Sequence, residues 1–339
     1  MAWINGLRGV GIFQSTNFSN ELTSKGLFLG ASEQGFSDRK SVHDTVKLLY
    51  KYVYVYVDIF SERGIILSYT FPQTETRYPC VCERRGHMHI YGVINQKGGV
   101  GKTTTVSALA GGLRRRGKSV LAVDLDPQGN LTYSFGAEPD GKNALGVLTG
   151  DIKASEAVVH TEQGDIIPGG RALSGADAFI TDTGKEYRLR EALSELETGY
   201  DVIIIDTPPA LGILTVNALT ACQSVIIPAQ ADIYSLQGIE QLGETLTPVK
   251  KYCNSGLYIE GILLTRYNPR AVLSRDIVSY MEQMAEKMGT KVFETKIREA
   301  VSIREAQMLR QDIFGYAAKS NVAADYGAFI DELLKRRYE

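Results

Sequence analysis

The stretch QKGGVGKTTT, Gln96 to Thr105, sets two lysines five residues apart in a run of glycines. A strand, a Gly-rich turn and a helix N-terminus aim backbone N–H groups at one place, which makes an anion cradle whose natural guest is a triphosphate. The standard spacing GxxxxGK[ST] requires glycine at position 96, where this chain has Gln96. The core Gly101-Lys102-Thr103 survives. Lys102 is therefore placed to meet the β and γ phosphates, and the Thr103 hydroxyl to coordinate Mg²⁺. Gly98, Gly99, Val100 and Thr104 complete the set of loop residues expected to bind nucleotide. Lys97 is the additional cation, and taken alone it also reads as a solvated loop charge.

Two carboxylate segments accompany the loop. DLDPQGN (Asp124 to Asn130) and DTPPALGILTVNAL (Asp206 to Leu219) each follow a continuous apolar run. An acidic residue at the end of a buried strand is costly unless something meets it, so a metal or ligand is expected at both Asp124 and Asp206. Capping of adjacent helices is the plainer alternative.

These residues need elements to hold them. HIYGVIN (His89 to Asn95) reads as a strand entering the loop, and Thr103 to Arg116 as a helix with Val106, Leu109, Ala110 and Leu113 on its apolar face, ended by Gly117. SVLAVDL (Ser119 to Leu125), DVIIID (Asp201 to Asp206), SVIIPAQ (Ser224 to Gln230) and LYIEGILLT (Leu257 to Thr265) read as strands uninterrupted enough for a sheet covered on both faces. Helices are expected near Leu236–Tyr252, Val272–Met288 and Val322–Arg337. With right-handed crossovers this gives an α/β fold, a doubly wound, mostly parallel sheet with helices on both faces and ligands at the carboxyl ends of its strands.

Residues 1–88 read differently from residues 89–339. They hold YKYVYVYVDIF (Tyr50 to Phe60), which alternates like a strand and equally fits a sticky, unpaired segment. The expectation is an irregular extension over 1–88 followed by one nucleotide-binding α/β domain over 89–339. Arg84-Arg85-Gly86 stands shortly before Met88, and AGG AGG codons there would form a ribosome-binding sequence, so Met88 is an expected natural start. Cys80 and Cys82 form a lone CxC, a weak metal signal without partner ligands.

Composition excludes several classes. With 44% hydrophobic and 22% charged residues the chain is neither fibrous nor disordered. A net charge of −2 argues against a wholesale nucleic-acid coat, so contact with DNA would require a local patch. Four scattered cysteines make no disulfide framework, and no run of eighteen apolar residues or signal-like start occurs. A cytoplasmic protein is expected.

KGGVGKT resembles the deviant Walker A motif of the ParA and MinD superfamily of P-loop NTPases, and the two carboxylate segments resemble its switch I and Walker B/switch II regions. That resemblance covers nearly all of residues 89–339, and it implies ATP and Mg²⁺ as cofactors and an ATPase that is slow and partner-stimulated. It implies that Lys97, catalytic with Lys102 and Asp126, reaches across a nucleotide-sandwich homodimer to the partner's phosphates. Asp126 would orient the attacking water, and Asp206 would hold Mg²⁺ with Thr103. Arg266 and Asn268 are placed near the adenine by the same analogy. Lys296-Ile297-Arg298-Glu299 departs from the proline-arginine pair of many relatives.

Branches of the superfamily differ in what they add. The end DYGAFIDELLKRRYE carries Asp331 and Glu332 inside its apolar stretch, unlike a basic membrane helix. Cys222 and Cys253 match no shared iron–sulfur site, and the tail has only Tyr338 where tyrosine kinases are tyrosine-rich. From Arg266 to Arg310 there are nine Lys or Arg against six Asp or Glu. Arg270 matches the arginine that ParA-type relatives use on nonspecific DNA, and Arg298, Arg304 and Arg310 extend that face; a salt-bridged surface is the alternative. The resemblance thus implies a DNA-partition ATPase, nucleoid-associated, with nonspecific double-stranded DNA and a ParB-like centromere-binding protein as partners and no membrane. A MinD-like or cargo-positioning ATPase acting on a membrane or protein scaffold is the alternative.

Overall fold

In the computed structural model the chain divides into two units, Met1–Cys82 and Glu83–Glu339. The structure describes residues 88–139, 141–196, 199–269 and 272–336, together with the backbone of four short strands in the first unit. Those strands form two antiparallel pairs, β1 (Val10–Phe13) with β2 (Phe28–Ala31) and β3 (Tyr56–Asp58) with β4 (Ile66–Ser68). β3 falls within the alternating Tyr50 to Phe60 run. The rest of that run, the Arg84–Gly86 triplet, Cys80 and Cys82 lie outside the described residues.

The second unit holds one seven-stranded sheet, five of whose strands are the expected apolar runs. Its strands are β5 (His89–Val93), β6 (Val120–Asp124), β7 (Val159–Thr161), β8 (Gly164–Ile167), β9 (Val202–Asp206), β10 (Ser224–Ala229) and β11 (Tyr258–Leu264). Their order is β11-β10-β5-β9-β6-β8-β7, with every neighbouring pair parallel except β7 and β8. β6, β9 and β10 are buried at every residue, as strands covered on both faces must be. The register sets Asp124 beside Asp206 and Asp206 beside Val93, so three strands deliver their carboxyl ends to one point.

The helices are α1 (Lys102–Arg115), α2 (Asn130–Ser134), α3 (Ala144–Thr149), α4 (Arg188–Ser194), α5 (Ile213–Ala221), α6 (Ile233–Tyr252), α7 (Val272–Lys287), α8 (Val301–Met308), α9 (Ile313–Tyr316) and α10 (Asn321–Arg336), with further single turns between them. One core joins α1, α8, α9 and α10 to the sheet, and the other joins α3 to α7. Each fully buried Leu or Ile in these layers stabilises the fold by about 1.5–3 kcal/mol relative to exposure. α1 packs closely on α10: a Cβ at Gly112 would stand 2.2 Å from Ile330 Cδ1. The Arg114–Arg116 run closes α1 as its position requires. Arg115 and Arg116 donate to the Gly111 and Gly112 carbonyls, and they pair with Asp312 and Asp331. No helix among the described residues is long and apolar enough to cross a membrane.

Candidate active site

Between β5 and α1 the loop bends through Gly99 (φ 74°) and Gly101 (φ 89°), conformations that glycine adopts without a Cβ penalty. The neighbouring strand ends pin it. Asn95 Nδ2 donates to the Pro228 carbonyl at 2.7 Å, Thr265 Oγ1 to the Val100 carbonyl at 2.7 Å, and Gln230 Nε2 to the Gly99 carbonyl at 3.0 Å. With these carbonyls engaged, the loop and the start of α1 present N–H groups to an anion.

Lys102 begins α1 and is buried, with Nζ donating to the Lys97 carbonyl at 3.2 Å. Burial lowers its pKa, against the pull of the Asp206 and Asp126 carboxylates. Thr103 Oγ1 donates to Asp206 Oδ2 at 2.6 Å. Asp206 is fully buried, and burial together with the nearby Asp124 pushes its carboxyl well above the usual range. Its Oδ1 has no hydrogen-bond partner among the described residues. A buried carboxylate oxygen left over beside a hydroxyl fits Mg²⁺, which takes one or two protein oxygens and completes its shell with phosphate and water. No cluster of three or more His, Cys, Asp or Glu among the described residues offers a protein-only metal cage.

Both carboxylate oxygens of Asp124 have donors within the protein. Its Oδ2 accepts from the Thr132 backbone at 2.8 Å and the Thr132 hydroxyl at 2.7 Å, and its Oδ1 from the Asp126 backbone at 3.0 Å. Burial still raises its carboxyl to about 6. Asp126 lies in the loop after β6 with 8% of its surface exposed, its Oδ1 accepting from the Gln128 backbone at 2.9 Å.

Lys97 is held within its own chain. Its Nζ lies 2.5 Å from Asp232 Oδ2 and 3.5 Å from Ser235 Oγ, with the Tyr234 ring centroid at 5.9 Å. Asp232 is also the N-cap of α6, accepting from the Ser235 backbone. Burial works against its charge, yet the hydrogen bonds from Lys97 and Ser235 hold its carboxyl below the usual range. Sequence reasoning missed Asp232; its one signal was an aspartate opening a helix.

A cavity of about 250 Å³ adjoins the loop, walled among others by Gly101, Thr104, Arg266, Arg298, Arg304 and Gln307. Gln307 Nε2 donates to Thr104 Oγ1 at 3.0 Å and ties α8 to the start of α1. Arg266 pairs with Glu299, and Arg298 grips Asp325 through two nitrogens at 2.6 and 2.7 Å. Arg298 and Arg304, expected on a DNA face, thus stand on the wall of this cavity. Asn268, expected beside the base, is exposed and is not on that wall. Arg270 lies outside the described residues. Arg310 stacks its guanidinium on Tyr133, 4.6 Å from the ring centroid.

A family model described as an AAA domain matches residues 88–259. The sporulation initiation inhibitor protein Soj of Bacillus subtilis is 40% identical over 242 residues, covering 70% of this chain and 94% of that one. The chromosome partitioning protein ParA of Myxococcus xanthus is 39% identical over 251 residues, covering 72% and 87%. Among solved structures, the cobyrinic acid a,c-diamide synthase of Mycobacterium smegmatis with bound ADP and magnesium superposes with a TM-score of 0.65 at 37% identity, covering 74% of this chain and 96% of that one.

Proposed function

The chain belongs to the ParA/MinD-type P-loop ATPases, and on that premise we propose that it partitions DNA through an ATP-driven cycle of pairing and release. ATP and Mg²⁺ are its ligands. The observation that carries this reading is the convergence of Lys102, the Thr103 hydroxyl and the half-satisfied Asp206 carboxylate at the ends of adjacent strands.

In this cycle Lys102 and the loop N–H groups hold the β and γ phosphates, while Thr103 and Asp206 hold Mg²⁺, which neutralises charge on the transferred phosphoryl group. Lys97 leaves Asp232 and reaches the phosphates of a second copy. A cation delivered in trans ties pairing to ATP, because the γ-phosphate supplies the charge that offsets two facing basic loops. Asp126 orients the attacking water, and hydrolysis reopens the pair. Residues 89–339 form the catalytic unit, with 1–88 as an extension. Arg270, Arg298 and Arg304 meet DNA phosphates without reading sequence, which suits a cytoplasmic, nucleoid-bound protein. A ParB-like protein bound to a centromere-like site stimulates the slow hydrolysis.

Retention of nonspecific duplex DNA by the full chain with ATP, with ADP and without nucleotide, at two salt concentrations, tests the reading. Binding is expected only with ATP and should fall steeply with salt, as phosphate contacts do. Lys97→Ala and Lys102→Ala should abolish it, and Asp126→Ala should prolong it. ATP-dependent pairing without DNA retention would remove the DNA cargo and leave a positioning ATPase.

A further inference from the structure

The nucleotide chemistry above makes no use of Thr132, yet this side chain joins three elements at the rim of the site. Thr132 is 3% exposed and lies in α2, just after the loop that carries Asp126. Its hydroxyl accepts from the Gly169 backbone at 2.8 Å and donates to Asp124 Oδ2 at 2.7 Å. A hydroxyl has one proton, so the direction is fixed: Gly169 N–H to Thr132, Thr132 O–H to Asp124. The Gly169 carbonyl, 3.4 Å from the same oxygen, receives no second proton. Gly169 sits so close to the end of β6 that a Cβ would stand 2.4 Å from the Asp124 carbonyl oxygen. The exit of β8 therefore presses against the end of β6 and leaves no slack.

Asp124 uses both carboxylate oxygens in this clasp. One receives the Thr132 backbone and hydroxyl, and the other receives the Asp126 backbone N–H at 3.0 Å. The loop bearing Asp126 is thus fastened on both sides to one fully buried carboxylate.

We infer that Thr132 is a positioning residue for hydrolysis: through Asp124 its hydroxyl fixes the backbone at Asp126 and hence the aim of that carboxylate at the attacking water. This rests on the role given to Asp126 above. A buried carboxylate satisfied only by neutral donors is a poor device for stability, whereas orientation of a reacting group tolerates little displacement.

The test is steady-state Mg-ATP hydrolysis by the full chain, with nucleotide affinity from titration of a fluorescent ADP and folding from thermal melts, for wild type, Thr132→Val, Thr132→Ser and Asp126→Ala. Thr132→Val keeps the shape and removes the hydroxyl. Its kcat should fall between about tenfold and a hundredfold, the range expected for misplacement on the order of 1 Å, with ADP affinity unchanged. Thr132→Ser should restore kcat to within about threefold of wild type. Wild-type kcat in Thr132→Val, an equal loss of ADP affinity, or a serine variant as slow as valine would overturn the inference. If Thr132→Val gives no folded protein, the serine variant decides: kcat near wild type supports the clasp, and kcat near that of Asp126→Ala rejects it. Should Asp126→Ala itself hydrolyse ATP normally, the reading of Asp126 fails. An inactive Asp126→Ala beside a fully active Thr132→Val sinks the clasp alone.

Discussion

Lys102 is buried and donates to a carbonyl of its own loop, whereas Lys97 keeps a quarter of its side chain exposed and is paired with Asp232. The second contact opposes the trans role proposed for Lys97, because pairing with a second copy must first break it. A partly exposed ion pair is worth about 0.5–1 kcal/mol after screening, so its loss should ease pairing by roughly two- to fivefold. Asp232→Asn is the clean probe, since asparagine keeps the α6 cap and removes the charge. In a hydrolysis-blocked Asp126→Ala background it should lower the dissociation constant of the ATP-dependent dimer by that factor in sedimentation. An unchanged constant would dismiss the latch, while a dimer that survives Lys97→Ala would dismiss the trans role itself. The convergence of Lys102, Thr103 and Asp206 was legible because Gly101-Lys102-Thr103 is a local pattern and Asp206 ends an apolar run. Asp232 was not, being 135 residues from Lys97. Nor was the fate of Asp124, since no feature of the sequence distinguishes Thr132 as a donor from any other buried threonine.

At the scale of elements, uninterrupted Val and Ile runs foretold five of the seven strands of the main sheet, with ends shifted by a residue or two. The hairpin of β7 and β8 escaped notice because strands of three and four residues carry too little alternation to register. α8 was likewise hidden, as Arg298 and Arg304 were weighed for charge and not for helical period. The close approach of Gly112 in α1 to Ile330 and Phe314 carries its own prediction. Gly112→Ala forces Ile330 Cδ1 to move and presses on a ring carbon of Phe314 at 3.0 Å, so it should cost about 1–3 kcal/mol. Thermal melts would read this as a lowered Tm. A Tm within a degree of wild type would show that α10 yields freely.

At the scale of the molecule, the site is where separate strands converge, so occupancy should reach the whole of the Glu83–Glu339 unit. A ligand bound only by the native state at a hundred times its Kd stabilises it by about 2.7 kcal/mol. Mg-ADP should therefore raise Tm, and EDTA should withdraw most of the gain. Asp206→Asn should make the gain insensitive to Mg²⁺; a variant that retains the full metal response would free Asp206 of its metal role. The position of the charges also bears on any partner. The net charge of −2 leaves attraction to a polyanion to local arginines, two of which, Arg266 and Arg298, are already engaged with carboxylates in their own chain.

The margins of the sheet have a separate effect. At one side it ends in β7, three residues long and antiparallel to its neighbour; beyond β11 at the other, Val292 forms a parallel bridge with Ile262. Such borders offer little template for another strand. Fibre growth by edge addition is thereby discouraged at this sheet, whose borders leave few backbone hydrogen bonds for a neighbouring copy to take.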